Sequence, residues 1–167
     1  DALIMIGTPL NSNNDVAAIN DSIFKNQAES LRKQIDFERT QQFESEDHSK
    51  LSYGEHFKRW YVYKAAPRYW HKVDYDCSAL WVGFDPDRIM DRFFSEILPP
   101  VDVTRNLQMI TIPIFHAVGL SDYDCCPWVW RDVQNLPLHM VNCEFKESGH
   151  WPQLEEPHKF MQEILGW

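Results

Sequence analysis

The stretch KESGHWPQLEEP, Lys146–Pro157, decides how the chain is read. Upstream of it, LHMVNCEFKES (138–148) reads as a strand. Downstream, EEPHKFMQEILGW (155–167) reads as a helix, with Glu155 and Glu156 favourably placed near its positive end. His150 therefore sits on a Gly-flanked turn that joins a strand to a helix. Gly149 lets that turn carry the imidazole over the end of the sheet without a Cβ clash.

Working outward, the same unit repeats. MITIPIFHAVG (109–119) reads as a buried strand, and CPWVWRDVQNL (126–136) as a helix with Pro127 in its first turn. Strand, helix, strand, helix at these short spacings is α/β organisation with a parallel sheet. At the other end of the chain, ALIMIG (2–7) is an apolar run stopped by the turn residues TPLNSNN, as in a buried parallel strand that runs into a loop.

A helical block lies between the first of these strands and the second. Phe24, Ala28, Leu31 and Ile35 recur at three- and four-residue steps and predict an amphipathic helix over residues 15–38. Residues 39–52 are polar and predict a loop or a solvated helix end. An aromatic belt follows: Phe57, Trp60, Tyr61, Tyr63, Tyr69, Trp70, Tyr75 and Trp81. Most single rings in such a belt are core packing, but as a set they suit the wall of a small-molecule pocket, for which Trp60, Tyr61, Tyr63 and the later Trp128 are the candidates. DPDRIMDRFFSEIL (85–98) predicts a further helix with Asp85 as its cap, and PPVDV then breaks the chain. The resulting division is a sheet strand at 1–10, an inserted helical block at 11–107, and a C-terminal α/β core at 108–167.

Composition narrows the function. A formal charge of −9 argues against nucleic acid or an anionic membrane as the main partner. No run approaches the roughly 18 apolar residues of a membrane span. Cys77, Cys125, Cys126 and Cys143 lack zinc-site spacing and read as reduced, buried thiols, which predicts a cytoplasmic location. No metal or organic cofactor is expected.

In α/β sheets, ligands and catalytic groups gather at the carboxyl ends of the strands. Two such ends carry titratable groups: LSDYDCC (120–126) offers Asp122 or Asp124, and KESGHWP offers His150. An Asp and a His delivered from neighbouring strand ends are two parts of a nucleophile–His–Asp triad, in which the Asp fixes the imidazole tautomer. A turn or N-cap role is the alternative reading for Asp122, and local hydrogen bonding the alternative for His150. His116, His139 and His158 read as core or surface residues. Glu44, Glu46, Asp47 and Glu55 read as a solvated face.

IPIFHAVGLSDYDCCPWVW and FKESGHWPQLEEPHKFMQEILGW resemble the C-terminal part of an α/β-hydrolase, nearest to the prolyl-aminopeptidase-like branch. Gly119, Asp122 and Trp130 match that branch's spacing of a Gly, two residues, the triad Asp, and a Trp eight positions later. The resemblance therefore assigns the acid role to Asp122, with Asp124 in reserve, and the base role to His150. LIMIGTPLNS resembles the strand that follows the family's nucleophile helix, and by the same resemblance residues 11–107 occupy the place of the family's helical cap or lid.

The resemblance implies a serine hydrolase, aminopeptidase-like towards small peptides, with an esterase, lactonase or amidase of small metabolites as the alternative. A hydrolase-fold binding protein without turnover is the reading from another class. The family's nucleophile elbow is G-x-S-x-G, and none of the six glycines frames one. The expectation is that the partner is an N-terminal half of the same hydrolase carrying the serine, without which the first strand has an unpaired edge.

Overall fold

A computed structural model describes residues 1–8, 14–77, 106–131, 133 and 136–167. Its sheet has three parallel strands, β1 (Leu3–Ile6), β2 (Ile114–Gly119) and β3 (Met140–Phe145), in the order β1-β2-β3. Leu3 pairs in register with Ile114, and Ile114 in turn with Met140. Every residue of the central β2 is buried. That is why its sequence is continuously apolar apart from His116, whose Nδ1 lies 2.8 Å from Oδ1 of its cross-strand partner Asn142. Burial holds the His116 pKa below the ordinary value, so it is a neutral core residue.

The strand expected over 109–119 begins only at Ile114. Leu107–Met109 form a 3₁₀ turn, and Pro113, which has no N–H to donate, directly precedes the first paired residue. The single helix expected over 15–38 is two: α1 (Asn14–Gln27) and α2 (Ser30–Ser45). Ala28, at the break, is buried beside Phe24, Tyr123 and Cys126, and α2 continues into the polar stretch as far as Ser45, the solvated helix end of the two readings for that stretch. α3 (Tyr53–Trp60) starts with a capping box between Ser52 and Glu55 and runs through a π-helical segment, Tyr61–Ala65, into α4 (Ala66–Tyr69). The helix expected over 85–98 and Trp81 lie outside the described residues.

After β2 comes α5 (Pro127–Arg131); after β3 come α6 (Pro152–Glu155) and α7 (Pro157–Gly166). Phe115, Ala117, Phe145 and Phe160 pack α7 on one face of the sheet. Met5, Leu107, Ile114 and Trp130 make the cluster on α5's side. Full burial of side chains such as Ile114, Phe115 and Phe145 contributes about 1.5–3 kcal/mol each, so these clusters dominate the stability of the sheet. Trp130 also donates its indole N–H to the carbonyl of Thr8, 3.1 Å away, which ties α5 to the end of β1. Among the described residues, no helix is long and apolar enough to cross a membrane.

Candidate active site

The loops after β2 and β3 are stitched together before any side chain is considered. Leu120 N–H donates to Phe145 O at 2.9 Å, and Ser121 N–H to Ser148 O at 2.9 Å, so the ladder continues past both strand ends. Asp122 then turns the chain: its Oδ1 accepts the backbone N–H groups of Asp124 (3.0 Å) and Cys125 (2.8 Å). The remaining oxygen, Oδ2, lies 2.8 Å from Nδ1 of His150. Asp122 is 2% exposed, and the carboxylate's partners fix it in one orientation.

His150 is held as firmly. Its backbone N–H donates to the Tyr69 carbonyl at 2.5 Å, the Tyr69 ring stacks on the imidazole, and Trp151 meets it edge-on at 4.8 Å. Burial disfavours the imidazolium, but the charge and hydrogen bond of Asp122 favour it, and the net result is a pKa above the ordinary histidine value.

Gly149 is required for a reason that the sequence did not show. A Cβ there would stand 1.8 Å from the Tyr69 carbonyl, so the glycine admits a helix-end carbonyl of the inserted block. Gly7, just past β1, has φ +51°, and a Cβ on it would meet the His150 carbonyl at 2.6 Å and the imidazole at 2.9 Å.

Glu155 and Glu156 do more than complement a helix dipole. Glu155 accepts the N–H groups of Gly149 (2.7 Å) and His71 (2.8 Å), while Glu156 accepts Glu147 N–H (3.0 Å) and the Ser148 hydroxyl (2.7 Å). Together they hold the His150 turn. The sequence signal was present as two carboxylates six and seven residues after the turn glycine.

The reserve acid, Asp124, is exposed and turned elsewhere: its Oδ2 accepts the Tyr69 hydroxyl at 3.0 Å. The geometry brings Asp122, not Asp124, to the imidazole. Asp124 instead lines a cavity of about 250 Å³ with Asp36, Thr40, Trp60, Lys64 and Arg68.

Of the aromatic candidates, Trp60 lines this cavity and a second, apolar one with Tyr53, His56 and Phe57. Tyr61 is buried beside Trp70 and takes the Trp151 indole N–H on its hydroxyl at 3.2 Å. The Tyr63 hydroxyl accepts from Gln42, and Trp128 packs against Tyr123. Cys125, read from the sequence as a buried thiol, is only partly buried, and its sulfur, an Asp122 oxygen and a His150 nitrogen all lie within 4.8 Å of one another. Burial and the Asp122 and Asp124 carboxylates push the Cys125 thiol well above the ordinary value, which makes it a poor nucleophile.

No family model matches the sequence. Over 92 residues, 54% of this chain, it is 33% identical to the AB hydrolase superfamily protein YclE of Bacillus subtilis (strain 168), of which the match covers 33%. Among solved structures, an alpha/beta fold family hydrolase from Bacillus anthracis str. Sterne is 21% identical with a TM-score of 0.59, over 96% of this chain and 56% of that one. A proline iminopeptidase of Mycobacterium smegmatis is 13% identical with a TM-score of 0.58, over 98% of this chain and 55% of that one. An esterase from Exiguobacterium antarcticum is 16% identical with a TM-score of 0.54, over 99% and 56%. The chain carries the α/β-hydrolase fold and spans little more than half the length of these solved structures. The iminopeptidase is one of several such neighbours, so the likeness does not select the prolyl-aminopeptidase branch.

Proposed function

We propose that this chain supplies the acid and base of a serine hydrolase that works through an acyl-enzyme. The observation that carries the reading is the 2.8 Å contact between His150 Nδ1 and the buried Asp122 Oδ2. Asp122 keeps the proton on Nδ1 and stabilises the imidazolium, leaving Nε2 as the base. A serine attacks the substrate carbonyl and gives its proton to Nε2. The imidazolium then protonates the leaving group, and a water activated in the same way releases the acid. In this reading the serine belongs to an N-terminal segment with the G-x-S-x-G elbow, which docks against β1, and residues 11–107 form the lid of the substrate pocket.

For the substrate, an amide cleaved in aminopeptidase fashion is the first reading, with Asp124 as the carboxylate for the free amine. The fold likeness to an iminopeptidase and the position of Asp124 on the cavity wall support it. An ester is the second reading. The acidic residues Glu44, Glu46, Asp47 and Glu55, the carboxylates of the inserted block considered for a substrate amine, are engaged with Lys64, Arg59, Ser49 and Ser52.

A fluorophosphonate probe applied to the enzyme that includes this chain tests the proposal. Labelling of a serine, lost in His150→Ala, is expected; no labelling overturns it in favour of a binding protein. Turnover of proline p-nitroanilide against a short-chain p-nitrophenyl ester then separates the two substrate readings.

A further inference from the structure

The mechanism leaves Cys125 without a task, although it stands closer to the acid–base pair than its lack of a role suggests. One potential ligand atom from each of Asp122, Cys125 and His150 lies within 4.8 Å of the other two. We propose that these three side chains form a site for a thiophilic divalent cation of the zinc type, and that filling it switches the hydrolase off.

The ligand set fits such an ion: a thiolate, an imidazole and a carboxylate, with a fourth tetrahedral position left for water. Zinc–ligand bonds of about 2.0–2.3 Å place ligand atoms roughly 3–4 Å apart, so three atoms that all lie within 4.8 Å of one another need a closure of no more than roughly 1–2 Å. Cys125 is partly exposed, and its side chain turns about a single bond to make that adjustment. Two anionic ligands and a neutral imidazole also balance the charge of a dication. The proton balance is simple. The thiol releases its proton to solvent, sulfur and carboxylate bond the metal, and the imidazole remains neutral.

Loss of activity follows from the tautomer. If the metal takes Nδ1, the one imidazole proton must move to Nε2, and the nitrogen that should accept the serine proton already carries one. If the metal takes Nε2 instead, the base's lone pair is occupied. Either mode removes the general base. The inhibitory half of the proposal rests on the hydrolase reading above; the binding half does not.

Cadmium is the probe, because a cadmium–thiolate bond gives an ultraviolet charge-transfer band whether or not the protein turns anything over. Titration of the protein, at a pH above the folded-state pKa of His150 so that the imidazole starts neutral, is expected to give this band at one ion per chain, with one proton released per ion. Cys125→Ala is expected to abolish the band and Cys126→Ala to keep it, with circular dichroism confirming that both are folded. Asp122→Asn is expected to weaken binding at least tenfold. Absence of the band, or its survival in Cys125→Ala, overturns the site.

For the switch, zinc is expected to cut turnover at least tenfold in the parent and less than twofold in Cys125→Ala, each relative to its own metal-free rate. A band with undiminished turnover overturns the switch. A protein inactive when free of metal counts against the hydrolase reading, while the band still decides the site.

Discussion

The ring of Tyr69 lies face to face with the imidazole of His150, 4.6 Å between centres and 18° between planes. The same residue accepts the His150 N–H on its carbonyl and donates its hydroxyl to Asp124. The end of α4 is therefore a wall that stops the imidazole from swinging off Asp122. Tyr69→Leu is expected to lower kcat by roughly 10–100-fold, with KM changed less, because small misplacement of a base is costly. Tyr69→Phe keeps the ring and loses only the Asp124 contact, so it should recover most of the rate. Equal losses in the two variants would show that stacking is not what positions His150.

Under the proposed mechanism, the raised pKa of His150 is expected to give stability and activity opposite slopes with pH. The folded-state pKa lies above the ordinary 6.5 or so, so the stabilisation is fully present below that value and is lost as pH rises through the folded-state pKa. Activity needs the neutral base, so kcat/KM is expected to rise over the same interval. Removing the charge with Asp122→Asn takes away the main groups opposing burial, and the His150 pKa should fall. NMR titration of the imidazole in the two proteins checks the direction; an unchanged or higher pKa in the variant would contradict the pairing.

Gly7 is expected to be worth more to the rate than to the fold. Gly7→Ala puts a Cβ on a left-handed residue, costing about 1–2 kcal/mol. The new methyl also presses on the His150 carbonyl and imidazole. A melting temperature lower by a few degrees together with a fall in kcat of about 100-fold is the expected pair of results. A fall in melting temperature with unchanged kcat would show that the imidazole accommodates the methyl.

The strand–helix alternation of residues 109–167 was legible because periodicity and turn residues record local structure. Asp122 and His150 were legible because each lies just past an apolar strand, where a parallel sheet delivers its side chains to one edge. What the local pattern does not record is contact between distant segments. Tyr69 reads as one more ring in an aromatic belt, and only the docking of α4 onto Gly149 brings it to His150, 81 positions away. The break at Ala28 was hidden for a similar reason: the apolar stripe runs through it unbroken, while burial against Tyr123 and Cys126 belongs to the tertiary fold. Cys125 was set aside on spacing, which counts residues along the chain and not the distance across two loops.

Arg32 had no signal at all, being one of several charged residues along α2, yet it is 2% exposed. Its guanidinium donates to the carbonyls of Pro67 (2.8 Å), Trp70 (2.6 Å) and His71. These oxygens cluster at the C-terminal end of α4, where no helical N–H follows to satisfy them. Replacing Arg32 by Met keeps much of the packing volume but leaves up to three carbonyls without their donor, at about 1–3 kcal/mol each. A loss near 3 kcal/mol corresponds to a melting temperature lower by roughly 6–12 °C for a chain of this size. Arg32→Lys supplies one donor group in place of the planar fork and should recover only part of that loss. Because the same turn carries Tyr69, the Met variant should also lose activity at temperatures where it is still folded. A Met variant that melts within about 2 °C of the parent would show that Arg32 does not hold α4 against the His150 turn.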